Sequence, residues 1–288
     1  MKKVIKEVPA KLNLTLDVGA EKNGYHQIKS LVTSVDIFDT VTVNKRTDGK
    51  ITLSVKGMQV PCLPHENNAF KAASLFMQNF PTTGVDIVIN KRIPIGGGLG
   101  GSSADIAGVL IAMKELYETE MEVCDLASKL GSDAAYMTKG GFAIMSGRGE
   151  KVAPVNSQRK FYLLFITSDK KISAAEAYKA FDQESRKKKG TTAQAERSLL
   201  ANDLDLFFQL IKNDLELAAK KLVPEVDFNL KCLKKAGARA VSVAGSGPTV
   251  YGIFETEKER NESYKKLKLL FGESLIKAET IPSNEDDR

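Results

Sequence analysis

The stretch RIPIGGGLGGSSADIAGVL, Arg92 to Leu110, holds five glycines among the six residues Gly96 to Gly101, ahead of two serines and an apolar run. This density of residues without a Cβ constrains the fold more than any other feature, because it suits backbone at positive φ or the close approach of another group. Before it, VDIVINKRI reads as a strand. After it, Ile106, Val109, Leu110, Met113, Leu116 and Tyr117 follow the i, i+3, i+4, i+7 spacing of a helix over Ser102 to Tyr117. The loop thus runs into a helix N-terminus, where unpaired N–H groups and about half a positive charge make an anion site. Ser102 and Ser103 are either caps of that helix or hydroxyl ligands for phosphate or a phosphate-bound Mg2+.

Two familiar loop patterns fit only in part. Gly96, Gly98 and Gly101 satisfy G-x-G-x-x-G, but Pro94 separates strand from loop and residues 118 to 130 read on as helix. A dinucleotide site needs a second strand ending in an acid there. The nucleotide pattern G-x-x-x-x-G-K-[ST] fits Gly96, Gly101 and Ser102 but lacks its lysine. A phosphate held here needs its positive charge and its base from elsewhere. In PAKLNLTLDV, alternation puts Lys11, Asn13 and Thr15 on one strand face and Leu12, Leu14 and Leu16 on the other. The leucines are expected in the core, the polar face towards a cleft or water. Asp133, after the helix stop Gly131 in KLGSDAAYM, is either an N-cap or a buried carboxylate held for proton transfer. In NGYHQ a turn at Asn23 and Gly24 precedes Tyr25 and His26, which are either structural or suited to stacking on a heterocycle.

The first half begins with alternating segments, VIKEV, KLNLTLDV, LVTSVDIFDTVTV and ITLSV, and reaches a helix at NNAFKAASLFMQNF. VCDLASKLG reads as a further helix and GGFAIMSGRGEKVAPV as strands joined by a glycine turn. KFYLLFITS reads as a buried strand, LFFQLIKNDLELAAKKL as amphipathic helix, and ARAVSVAGSGPTVYGIFE as two strands about a small-residue turn. Early strands and late helices without regular βαβ alternation predict an α+β fold. A chain of 288 residues suits two domains, divided near residues 150 to 160. No apolar run approaches the roughly 18 residues of a membrane span, and MKKVIKEVPAKLNLTL alternates where a signal peptide would be solidly apolar, which predicts a cytoplasmic protein. The net charge of +6 is too dispersed for nucleic acid, and RKKKG at Arg186 to Gly190 reads as a solvated loop. Cys62, Cys124 and Cys232 lack metal-ligand spacing and read as reduced thiols.

PAKLNLTLDV, NGYHQ, PIGGGLGGSSAD, GSDAAYM, NDLE and AGSGPTVY occur in that order from Pro9 to Tyr251. In them the chain resembles the GHMP kinases, with PAK-x-N and GYH marking a cytidine-binding branch. The resemblance implies a two-domain α+β fold with the active site in the interdomain cleft, residues 1–155 forming the ATP-binding, catalytic domain and 156–288 the C-terminal one. It implies transfer of the γ-phosphoryl group of ATP, with Mg2+, to the 2-hydroxyl of a cytidyl-diphospho methylerythritol, a step of the non-mevalonate isoprenoid pathway. The expected partner is this small molecule, with no nucleic acid or membrane, and a monomer or homodimer. By motif position Pro94, Ile95, Gly96, Gly97, Gly98, Leu99, Gly100, Gly101, Ser102, Ser103 and Ala104 would bind the ATP phosphates, Ser103 also meeting the metal. Asp133 would be the catalytic base, with Lys11 beside it polarising the acceptor hydroxyl. Tyr25 and His26 would hold the cytosine, with Asn13 nearby and Tyr178 as a second aromatic wall. Against the family pattern the loop reads GGSSAD in place of GGSSDA or GGGSSN, which sets Asp105 further along the helix, and Ala244 stands where serine is more usual.

Overall fold

The computed structural model describes residues 2–58, 62–184 and 190–282. Strands β1 (Lys3–Asn13), β2 (Thr15–Lys22), β3 (Tyr25–Lys45) and β4 (Ile51–Gly57) come first, then helix α1 (Asn68–Asn79) and strand β5 (Val85–Lys91). Helices α2 (Gly101–Tyr117), α3 (Cys124–Leu130) and α4 (Ala134–Met137) precede strands β6 (Ala143–Gly147), β7 (Lys151–Pro154) and β8 (Tyr162–Ile166). The remainder is α5 (Ala174–Asp182), α6 (Thr192–Leu200), α7 (Leu204–Leu210), β9 (Lys212–Asn213), α8 (Glu216–Leu222) and α9 (Glu225–Ala236). It closes with β10 (Ala240–Val243), β11 (Val250–Phe254), α10 (Glu257–Phe271) and β12 (Leu275–Ile281).

Two compact units form from these elements, both discontinuous in sequence. The first takes the chain up to Ala10, Ile37–Ile95 and Gly100–Gly140; the second takes Lys11–Asp36, Gly96–Leu99 and everything from Gly141. The single division expected near residues 150 to 160, at 155 by the resemblance, does not coincide with these discontinuous units. The reason is strand pairing: the first half of β3 pairs with β6, Ile28 opposite Gly147 through Val32 opposite Ala143, so Lys11–Asp36 folds with the chain from Gly141. The second half of β3 pairs with β5, Thr40 opposite Asn90 through Lys45 opposite Val85, within the first unit.

In the first unit β5 also pairs in parallel with β4, and α1 and α2 bury their apolar residues in the same core. Ala69, Ala72, Ala73 and Phe76 form the inward stripe of α1, whose first turn is capped by the Asn67 side chain accepting from the Ala69 amide. Helix α2 is buried nearly all round, from Ala104 to Leu110 and again at Ala112, Met113 and Leu116. It lies directly on β3 at Gly108, where a Cβ would come within 2.6 Å of Val41 Cγ2. In the second unit β10, β11, β8 and β12 form an antiparallel run, and Leu164, Ile166, Val243, Val250 and Phe254 share a core with Ala177, Leu215, Ala219, Leu230 and Leu267 from helices and turns around it. The expected Asn23–Gly24 turn joins β2 to β3 with positive φ at both residues, 54° and 78°.

LFFQLIKNDLELAAKKL is not one helix. It breaks into α7, β9 and α8, because Lys212 and Asn213 pair in parallel with Thr15 and Leu16 of β2. The Asn213 side chain donates to the carbonyls of Val243 and Gly245, at 2.8 and 2.7 Å, and accepts from the Leu215 amide at 2.9 Å. These tertiary bonds override the helical period. The reading of Arg186 to Gly190 as a solvated loop falls, apart from Gly190, outside the described residues. The three cysteines are free thiols.

Candidate active site

The glycine loop uses its missing side chains. Gly96, Gly98 and Gly100 have φ of 71°, 78° and 75°, in the left-handed region that suits glycine. A Cβ on Gly98 would lie 1.8 Å from the Ala244 carbonyl oxygen, so the loop is pressed backbone to backbone against the turn after β10. Asn213 holds that turn from the other side by the two carbonyls named above. Gly100 occupies the N-cap position of α2, so neither Ser102 nor Ser103 caps the helix. Ala104 donates the bond to the Gly100 carbonyl, at 2.9 Å. The amides of Gly101, Ser102 and Ser103 precede it and are those that a helix leaves without an intrahelical acceptor. Ser102 Oγ is engaged instead by the Asn68 amide group at 2.8 Å.

Lys11 and Asn13 do not face water. Lys11 is 5% exposed, Asn13 3% and Thr15 fully buried, while Leu12, Leu14 and Leu16 are buried on the opposite face. Both faces of this strand are covered, and the polar face is satisfied within the protein. Lys11 Nζ donates to Asn13 Oδ1 at 2.5 Å, Asn13 Nδ2 to Ser30 Oγ at 2.7 Å, and Ser30 Oγ to the Thr15 carbonyl at 2.5 Å. The Tyr251 phenol donates to the Asn13 carbonyl at 2.9 Å, and burial pushes that phenol above its ordinary pKa. The Lys11 amide donates to the Leu99 carbonyl at 3.0 Å, which ties this strand to the glycine loop. The structure therefore joins two motifs that lie nearly 90 residues apart.

Asp133 stands half-buried at the start of α4, a helix of four buried residues, and its side chain does not cap it. Asp133 thus occupies the N-cap position of the sequence's first reading without forming the side-chain capping bond. The turn that carries it lies against the first turn of α2: a Cβ on Gly131 would be 3.3 Å from Ser103 Oγ and from Ile106 Cδ1. Within the first unit, then, Ser103 and the Asp133 turn are neighbours.

His26 and Tyr178 come together in the second unit. Their rings stack with centroids 5.1 Å apart and planes 10° from parallel, and Phe181 meets His26 edge-on at 5.9 Å. His26 Nδ1 faces the Gly19 carbonyl at 2.9 Å and Nε2 faces Asp182 at 3.0 Å, so both ring nitrogens have partners. Tyr25 is not in this stack. It is 55% exposed, with the Arg148 guanidinium 5.1 Å over its ring.

A buried charge cluster was missed by the sequence reading. Lys91 Nζ pairs with Asp39 and with Asp105, each at 2.6 Å, and also donates to the Gly101 carbonyl at 2.8 Å. Asp39 further accepts from the amides of Arg92 and Ile93 at 2.7 and 2.8 Å. Asp105 is thus an internal partner of Lys91, and its remaining oxygen has no hydrogen-bond partner among the described residues. Burial pushes its carboxyl up to about 6, with Lys91 pulling the other way. The signal lay in β5, whose inward positions Val85, Ile87 and Ile89 continue to Lys91. A lysine in that register requires buried acids.

Among the described residues no cluster of three or more His, Cys, Asp or Glu side chains is arranged to hold a metal. The Ser103 hydroxyl in the first turn of α2 suits Mg2+ arriving with phosphate, because this ion keeps water and phosphate oxygens and needs few protein ligands. No helix among the described residues is long and apolar enough to cross a membrane.

A two-domain α and β architecture carrying a phosphate-type glycine loop is that of a small-molecule kinase, and the chain belongs to the GHMP kinases. The family's N-terminal domain matches residues 67–148 and its C-terminal domain residues 195–271. ATP is the phosphoryl donor of such a kinase. More particularly, the chain is similar to 4-diphosphocytidyl-2-C-methyl-D-erythritol kinases. It is 36% identical over 267 residues to that of Shouchella clausii (strain KSM-K16), covering 91% of this chain and 89% of the relative. It is 33% identical over 276 residues to that of Clostridium tetani (strain Massachusetts / E88), covering 93% and 96%. A crystal structure of 4-(cytidine 5'-diphospho)-2C-methyl-D-erythritol kinase superimposes with a TM-score of 0.80 at 27% identity, covering 96% of this chain and 99% of that one.

Proposed function

We propose that the protein phosphorylates the 2-hydroxyl of 4-diphosphocytidyl-2-C-methyl-D-erythritol with ATP, in the non-mevalonate route to isoprenoid precursors. The observation that carries the reading is the glycine loop itself, alternately left-handed, opening on the first-turn amides of α2 and bonded to the strand of Lys11. Phosphoryl transfer asks chiefly for positioning and for charge stabilisation. The loop amides supply donors to the phosphate chain, and Lys11 supplies a cation. Asp133 takes the proton of the acceptor hydroxyl, whose oxygen forms a bond to the γ-phosphorus as the bond to the β-phosphate oxygen breaks and ADP leaves. Ser103 would hold Mg2+, which when bound would neutralise phosphate charge.

His26 and Tyr178 are the side chains we assign to the cytosine, with Asn13 as a further contact and Tyr25 as a solvent-facing wall. Their stacking and polar edges support a planar, hydrogen-bonding base. Binding it through His26 requires one ring nitrogen to exchange its partner, Gly19 or Asp182, for the base.

The test is ADP release from Mg-ATP with the cytidyl compound, homoserine or mevalonate supplied separately. Turnover with the cytidyl compound alone is expected. Turnover only with another alcohol would refute the acceptor assignment, and ATP binding without turnover on any of them would mark a silent nucleotide-binding protein.

A further inference from the structure

We infer that Lys171 provides the phosphate-facing ammonium that the glycine loop lacks in its own sequence, and so contributes to holding the triphosphate of ATP; this rests on the kinase reading above. The stem of Lys171 lies across the first glycine of the loop. A Cβ on Gly96 would sit 3.1 Å from Lys171 Cγ, 3.4 Å from Cδ and 3.5 Å from Cβ, and Gly96 at φ 71° keeps its exposed backbone open beneath the side chain. Both residues belong to the same compact unit.

The neighbours of Lys171 fix its backbone. Lys170 donates to both carboxylate oxygens of Glu225 at 2.7 and 2.8 Å, and Ile172 is buried in the core of the second unit. Ser173 caps α5 in a reciprocal capping box with Glu176. Lys171 itself is exposed, and among the described residues no hydrogen bond or ion pair engages its ammonium. A cation whose stem is pinned over the loop while its head stays in solvent loses little conformational freedom on meeting an anion there. Packing alone would also place a lysine stem on a glycine, so the test must keep the stem and remove the charge.

Lys171→Met does so. ATP binding by equilibrium dialysis without acceptor is expected to weaken about five- to tenfold, the scale of one near-surface charge pair. The KM for ATP should rise in step, with kcat within about twofold, the acceptor KM unchanged and the thermal midpoint preserved. Lys171→Arg should restore ATP affinity to within about twofold, and added salt should weaken ATP binding less in Lys171→Met than in the wild type. Equal ATP affinity in wild type and Lys171→Met overturns the inference, as does an effect confined to the acceptor KM or a Lys171→Arg variant as weak as the Met one. Wild-type protein that binds ATP but turns over no acceptor would overturn the kinase reading and leave this binding comparison standing.

Discussion

Lys91 answers two buried carboxylates with one positive charge, while its third bond holds the Gly101 carbonyl at the start of α2. Removing one partner of a buried ion cluster costs more than the cluster is worth, because the survivors keep their desolvation cost without their counter-charge. Lys91→Met is expected to lose about 3–5 kcal/mol of stability. Adding Asp39→Asn and Asp105→Asn to it should recover part of that loss in denaturant titrations. The same cluster predicts a pH dependence. The Asp105 carboxyl titrates at about 6 in the folded chain, above its ordinary value, so the folded state holds this proton more tightly than the unfolded one. Its contribution to stability is complete below about pH 4 and lost as pH rises through about 6. The stability of the wild type relative to Asp105→Asn should therefore fall between about pH 4 and 7, by on the order of 3 kcal/mol. A difference that is flat, or that rises over that range, would refute the assignment.

At the scale of elements, the glycine loop is the part whose geometry admits fewest substitutes. Gly98→Ala faces a positive φ of 78° and a Cβ 1.8 Å from the Ala244 oxygen, so the loop must separate from the turn that Asn213 braces. We expect ATP affinity to drop at least about tenfold and the thermal midpoint to fall, since backbone strain of this kind costs about 1 kcal/mol before the overlap is counted. Unchanged ATP binding would show that the loop does not hold the phosphates. Helices α1 and α2 and the loop between strand and helix were legible in the sequence, because local period and glycine content dictate them. The break of α7 from α8 was not. It depends on Asn213 meeting carbonyls 30 and 32 residues further along, which no local pattern encodes. The burial of Lys11 and Asn13 was hidden for the same reason: alternation assigns the two faces of a strand but does not tell which face meets solvent.

For the molecule as a whole, segment order foretold an α+β fold and the resemblance of its motifs implied a kinase, while the limits of its units came from pairing between distant strands. β3 serves both units, Ile28 to Val32 against β6 and Thr40 to Lys45 against β5, and a 21-residue alternating segment carries no mark of where its partner changes. Among the candidate residues, Lys11, Asp133 and the loop were named from the resemblance of their motifs, whereas the Lys91 cluster, Asn213 and Lys171 needed coordinates, because each owes its place to a partner remote in sequence. The proton removal proposed for Asp133 is tested most directly by product formation from Mg-ATP and 4-diphosphocytidyl-2-C-methyl-D-erythritol by wild type and Asp133→Asn. The wild type should yield ADP and 2-phosphorylated acceptor one for one, with Asp133→Asn binding both substrates but turning over about 10^2-fold more slowly or less. Near-normal turnover by Asp133→Asn, or ADP released without phosphorylated acceptor, would contradict it.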